Sequence, residues 1–217
     1  MNADNTFPHK PFADSAAASI NLSGGALCLD FTNTVSGRGY ESESDSLAEY
    51  DDLLAWSLHT QTLDEDAALL LAAHAADDPD AAQVLLWRAR ALRESLFAVF
   101  QAHAQGAPPA AEDLARLNAE LAAAMANLRL LPHEGHFDLE WDPDGSSLER
   151  PLWPIVRSAA ELLTSGELAR VHKCASDRCG WLFVDRSKNH SRRWCDMKEC
   201  GNVAKVRRYR TRHKTEG

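Results

Sequence analysis

A mainly α-helical fold, with one small β-hairpin and a compact unit of clustered cysteines near its C-terminal end, is what the sequence predicts. Three observations predict it. Apolar residues recur at helical spacing from about residue 46 to 126, and the pattern switches to alternation over 128–141. Four of the five cysteines then crowd into residues 174–200 as C-x4-C-x15-C-x4-C. A chain of 217 residues, 45% of them hydrophobic, has the length and the apolar content for one ordinary core plus a small second unit.

The elements follow in order. Residues 1–20 lack periodicity and carry Pro8 and Pro11, which predicts a flexible N-terminal arm. Ser23-Gly24-Gly25 punctuates the start of ALCLDFTNTV, where Leu27, Leu29, Phe31, Asn33 and Val35 alternate like a strand while Leu27, Phe31, Thr34 and Val35 fit a helix face. Asp45-Ser46 is placed to cap a helix on Leu47, Tyr50, Leu54 and Leu58, and Asp64 to open a second on Ala67, Leu70 and Leu71. The longest helix is expected from about Asp80 to Ala104, on Leu85, Ala89, Leu92, Leu96, Val99 and Phe100, ended by Gly106-Ala107-Pro108-Pro109. Another is expected from Ala111 to Asn127, on Leu114, Leu117, Leu121 and Met125. LRLLPHEGHFDLEWD, centred on Glu134-Gly135, reads as a β-hairpin, and Asp142-Pro143-Asp144-Gly145 as a turn. A final helix spans about Leu148 to Thr164, with Pro154 kinking it or delaying its start.

Charge divides the chain. Residues 172–217 hold 13 Lys/Arg against 5 Asp/Glu, a balance of +8, while residues 1–171 hold 10 against 27, a balance of −17. The net charge of −9 therefore conceals a short basic segment on an acidic body, which localises a surface for polyanions. No run of eighteen apolar residues occurs, so no membrane span is expected. The N-terminus has no apolar stretch behind a basic one and does not read as a signal peptide, so a cytoplasmic address is expected, where thiols stay reduced.

Two short cysteine pairs converging on one point give four thiolates at the corners of a tetrahedron, which suits a structural zinc ion on Cys174, Cys179, Cys195 and Cys200. Disulfides, a redox switch and an iron–sulfur cluster are the alternatives. Trp181, Phe183 and Trp194 lie between the pairs and can shield the ion. A knuckle, a short hairpin with a strand in WLFVD, and a helix that opens with the last ligand make a treble-clef-like zinc finger with a C-terminal basic helix. Cys28, in an apolar run, reads as a small buried hydrophobe.

That helix carries Lys205, Arg207, Arg208, Arg210, Arg212 and Lys214, with Arg192 and Arg193 just before the second cysteine pair. A metal-stabilised unit beside such a run points to phosphate contacts, with DNA as the expected partner. An RNA-binding zinc protein and a protein-interaction adaptor with a structural zinc are the alternatives. No Gly-rich phosphate loop, G-x-S-x-G elbow or nucleophile–base pair is present, so an enzyme is not expected. His133 and His136 flank the hairpin turn without the HExxH spacing and receive no function.

KCASDRCGWLFVDRSKNHSRRWCDMKECGNVAKVRRYRTRHK, with CGWLFVD, RRWCDM and CGN-x-AK as its most specific parts, closely resembles the CGNR zinc-finger proteins. LCLDFTNTV and the RALRESL segment resemble the ABATE domain that precedes the finger in that family. The resemblance implies a bacterial stress-responsive transcription regulator, α-helical in its body, with zinc on the four cysteines. It organises the chain as an arm over 1–20, an ABATE-like sensor over 21–167 and a CGNR finger over 168–217. The fourth letter of CGNR is Val203 here, which removes one arginine from the expected phosphate contacts. In the sensor, Asp30 and Asn33 are candidates to orient a small-molecule or stress signal, against the alternative that they bridge neighbouring backbone groups. A homodimer through the helices of residues 46–126 would help read a palindromic site.

Overall fold

The computed structural model describes residues 12–141 and 146–207. The turn expected over 142–145 and the residues Arg208, Arg210, Arg212 and Lys214 lie outside them. The described chain is mainly helical, with α1 (Leu27–Thr32), α2 (Tyr50–His59), α3 (Glu65–Asp77), α4 (Pro79–Ala104), α5 (Ala111–Met125), α6 (Trp153–Thr164) and α7, described over residues 202–207. Three two-stranded antiparallel sheets accompany the helices: β1 (Val35–Ser36) with β2 (Ser44–Asp45), β3 (Leu128–His133) with β4 (His136–Trp141), and β5 (Val171–Lys173) with β6 (Leu182–Val184).

Local chemistry sets the helix ends. Asp64 accepts the Ala67 amide at 2.7 Å and starts α3. Asp78 accepts the Ala81 amide at 3.0 Å, and Pro79 occupies the first turn of α4, where its missing N–H costs nothing. Pro154 likewise lies in the first turn of α6, so that helix starts at Trp153 behind a 3-10 turn, Arg150–Leu152. The helix expected to open at Asp45-Ser46 begins instead at Tyr50. Asp45 is held in β2 and by Arg93, and Asp52 takes over the capping by accepting the amides of Ala48 and Glu49. The ambiguous LCLDFTNTV resolves into both readings, helix α1 and then strand β1.

The core is built around α4. Leu86, Leu92, Leu96 and Phe100 meet Leu29 and Phe31 of α1, Leu53, Leu54 and Trp56 of α2, and Ile155, Val156 and Ala159 of α6, all fully buried. Each large side chain so buried contributes on the order of 1.5–3 kcal/mol. Val171, Leu182 and Val184 of β5 and β6 belong to this same cluster. The cysteine-bearing hairpin is therefore seated on the helical body rather than hung from it.

Two further expectations change. The arm is docked over residues 12–20: Phe12 and Ala17 are buried in the core cluster, Ala16–Ser19 form a 3-10 turn against α2, and the Ser15 hydroxyl donates to Asp52 at 2.6 Å. Helix α5 buries Leu117, Glu120 and Ala124 and leaves Leu114 and Met125 exposed. A two-pronged contact between the Glu120 carboxylate and the Arg88 guanidinium, at 2.6 and 2.7 Å, fixes that rotation.

Candidate metal centre and nucleic-acid interface

Cys174 and Cys179 flank the turn between β5 and β6, so the hairpin encloses the first cysteine pair instead of following it. Gly180 makes the knuckle possible. It sits at φ +80°, and a Cβ there would approach the Arg38 side chain to 3.0 Å. The Cys174 amide closes the turn by donating to the Trp181 carbonyl at 2.8 Å. Asp196 then accepts the amides of Lys198 and Glu199, at 2.6 and 3.0 Å, and starts the wide helical turn Met197–Gly201 that carries Cys200 into α7.

The four sulfurs lie within 4.8 Å of one another. Cys179 Sγ is 3.5 Å from Cys195 Sγ, which is 3.7 Å from Cys200 Sγ. A tetrahedral zinc ion with Zn–S bonds of about 2.3 Å needs sulfurs about 3.8 Å apart. A disulfide needs about 2.05 Å, and the thiols are free. A cluster of several irons needs its thiolates spread wider than this cradle. The donor set fits one structural zinc ion. Hydrogen bonds from Cys179 and Cys195 pull the Cys174 thiol down to about 2, from an ordinary 9.0. The Cys174 sulfur in turn pushes up Cys179, to about 12, and Cys195, while burial raises Cys200. A bound zinc ion would supply the field that keeps these sulfurs deprotonated.

The segment 21–37 clamps this centre to the body. The Asn33 carboxamide accepts from the Leu182 amide at 2.9 Å and donates to the Leu182 carbonyl at 2.9 Å, so it pairs with the outer edge of β6 as another strand would. The Val184 amide donates to the Gly24 carbonyl, and the Gly37 amide to the Cys179 carbonyl. Trp181 Nε1 donates to the Val35 carbonyl at 3.0 Å, and Asn21 reaches Asp196 at 3.1 Å. Asp185, fully buried, accepts the amides of Ser187 and Arg192, both at 2.8 Å. The Ser187 hydrogen bond holds its carboxyl down at about 2. Sequence patterning does not single out Trp181 as a hydrogen-bond donor or Asp185 as an organiser of the loop. Their signal is the GWLFVD text itself, a Trp and an Asp bracketing a strand.

Asp30 and Asn33 both bond to backbone groups of neighbouring segments. Asn33 is 0% exposed, and both polar atoms of its side chain are engaged by Leu182. Asp30 accepts the Gly24 amide at 2.7 Å, and a side chain on Gly24 would collide with the Asp30 amide at 2.9 Å. Burial pushes the Asp30 carboxyl up to about 6. Arg93, only 3% exposed, grips Asp45 with two 2.7 Å hydrogen bonds and donates to Thr34 at 3.0 Å. Glu94 pairs with Arg38 and Arg93, so it joins a network reaching the buried Arg93. Cys28 is fully buried, and burial pushes its thiol up to about 12.

Of the basic residues, Arg192 turns inward. Its guanidinium lies 4.5 Å over the Phe183 ring and donates to the carbonyls of Ser23, Trp194 and Cys195. It is a staple of the finger, which corrects its expected place among phosphate contacts. Arg193 is exposed beside the Trp194 ring, Lys205 and Arg207 are exposed too, and Arg207 pairs with Asp177 of the knuckle. Val203 stands exposed near the start of α7.

Comparison with protein-family models places residues 25–166 in ABATE, described as "Putative stress-induced transcription regulator". The chain belongs to the ABATE family. Residues 170–213 match the CGNR zinc finger, which gives the four clustered cysteines their identity as the zinc centre. Neither match is to an enzyme family. No curated protein gives a significant match to this ABATE chain.

Proposed function

We propose that this ABATE–CGNR protein is a zinc-dependent, DNA-binding transcription regulator of bacteria. In this reading the zinc centre fixes α7 as the DNA-contacting helix and the acidic helical body receives a stress signal. The observation that carries the reading is the junction at Cys200. The turn holding the last thiolate runs directly into α7, so the metal sets the direction of a segment whose sequence contains Lys205, Arg207, Arg208, Arg210, Arg212 and Lys214. Arg193 adds charge just ahead of the second cysteine pair. The +8 balance of residues 172–217 on an acidic body, and a family named for transcription regulation, support the same reading. Among the described residues no helix is long and apolar enough to cross a membrane. A cytoplasmic protein that associates with the nucleoid when bound fits this function.

The test is duplex DNA binding by the full chain across a salt series, before and after zinc chelation, with single-stranded RNA as competitor. Binding that weakens steeply with salt and is lost on chelation is the expected result. Binding indifferent to chelation would remove the zinc unit from the interface, and preferential competition by RNA would transfer the function to RNA.

A further inference from the structure

The β3–β4 hairpin brings together four side chains that the sequence alone leaves unrelated. The chain reverses at Glu134-Gly135, with Gly135 at φ +81°, and this sets His133 directly across from His136. Asp138 and Glu140 follow His136 along the same face, because alternate strand residues share a side. The two imidazoles stack with centroids 5.6 Å apart. His133 Nε2 lies 3.1 Å from Glu140 Oε1 and 3.6 Å from Asp138 Oδ2, and His136 Nε2 lies 3.2 Å from the same Asp138 oxygen.

These separations match the edge of a tetrahedron with metal–ligand bonds of about 2.0–2.1 Å, which is about 3.3–3.4 Å. The other ring nitrogen of His136, Nδ1, lies 3.2 Å from the Glu134 carbonyl, which holds the ring with Nε2 toward Asp138. A backbone carbonyl fixing the far nitrogen is the usual support for a metal-bound histidine. Arg129, the cross-strand neighbour of Glu140, directs its guanidinium to the carbonyls of Ala126 and Leu128.

We propose that the tip of this hairpin is a second metal site for a divalent first-row transition ion, formed by His133, Asp138 and Glu140, whose ligand atoms lie within 4.8 Å of one another, with His136 beside Asp138. An imidazole nitrogen in the ligand set selects such an ion over magnesium or calcium, which take all-oxygen shells. Two carboxylates balance its charge. The side chains are about half exposed, so the site is open and exchanges with solvent, unlike the closed thiolate centre. The inference is independent of the nucleic-acid reading.

The test is calorimetric titration of Zn2+ into the full chain already carrying zinc on its cysteines, with excess Mg2+ present. The parent is expected to take up one further ion. The double variant His133→Ala/His136→Ala and the variant Asp138→Asn are each expected to bind it at least tenfold more weakly, with cysteine-bound zinc and melting temperature unchanged. These substitutions sit on an exposed hairpin tip, and unchanged melting verifies the fold. Absence of further uptake by the parent, uptake equal in parent and double variant, or uptake abolished by Mg2+ would each overturn the proposal. The last two would reveal diffuse binding to the acidic surface.

Discussion

Replacing Asn33 with alanine removes a carboxamide that is wholly enclosed and bonded at both ends to Leu182. The substitution leaves the Leu182 amide and carbonyl, on the outer edge of β6, without partners in the interior. An unsatisfied buried backbone group costs about 1–3 kcal/mol. With two such groups, and some relief from water entering the vacated space, the expected destabilisation is about 3–4 kcal/mol. For a chain of this size that corresponds to a melting temperature lower by about 6–16 °C. Asn33→Asp keeps the acceptor for the Leu182 amide but sets a carboxylate against the Leu182 carbonyl, so it is expected to be at least as damaging. The assay is thermal unfolding by circular dichroism, with zinc release followed in parallel by a colorimetric chelator. Because β6 leads out of the zinc knuckle, zinc is expected to leave at the same lowered temperature. An Asn33→Ala protein that melts within about 2 °C of the parent and keeps its zinc would refute the reasoning and restore Asn33 as a group free to meet a ligand.

Four other outcomes follow from the same geometry. Asp30 has its carboxyl raised from 3.8 to about 6, so the folded protein binds the proton more tightly than the unfolded chain. Its contribution to stability therefore falls as pH rises from about 4 to 6, by up to about 3 kcal/mol. Asp30→Asn should be free of that fall, so the stability of variant relative to parent should climb over this window and level off above it, as read from denaturant unfolding across pH. Asp45→Ala removes the two-pronged partner of the buried Arg93 guanidinium and should cost about 3 kcal/mol in the same unfolding assay, the low end for a broken buried pair because Asp45 is partly exposed and Glu94 stays in contact. Arg192→Ala should lower the melting temperature and hasten zinc release while leaving the salt slope of DNA binding unchanged. Arg193→Ala with Lys205→Ala should do the reverse, flattening the slope by about 0.9 for each phosphate no longer neutralised. Stripping zinc with a chelator that is already fully deprotonated should draw protons from solution, because Cys179, Cys195 and Cys200 reclaim theirs; a pH-indicator trace reading net uptake is the check, and no uptake would refute protonation of the freed thiols as the consequence of zinc loss.

The helices and the cysteine centre are legible in the sequence because their signals are local. Asp64 stands immediately before an apolar period, Pro154 marks a first turn, and the paired C-x4-C spacing announces convergence on one ion. What escapes the sequence is long-range. Asp45 looks like a cap until Arg93, 48 residues on, is seen to claim it. Asn33 looks like a ligand group until Leu182, 149 residues on, fills both its hydrogen-bonding ends. Arg192 is indistinguishable from Arg193 in sequence, and only the Phe183 ring and three nearby carbonyls decide which of the two turns inward. The spacing of His133 and His136 fails a motif that belongs to helices, whereas the strand register makes the two direct neighbours.

The sharing of one apolar core by α1, α4 and the β5–β6 hairpin bears on how such proteins are taken apart and rebuilt. A cut ahead of β5 strips Val171, Leu182 and Val184 from beneath the helices and leaves Asn33 with nothing to hold. A finger transplanted at that seam must bring a β6 whose edge fits a foreign Asn33 and Gly24. A graft made after Val184 keeps the foundation and exchanges only the loop, the second cysteine pair and α7. Tilting α1 also shifts β6 through the Asn33 clamp, so there is no slack linker to absorb the motion, and the attitude of the terminal helix is geared to the helical body.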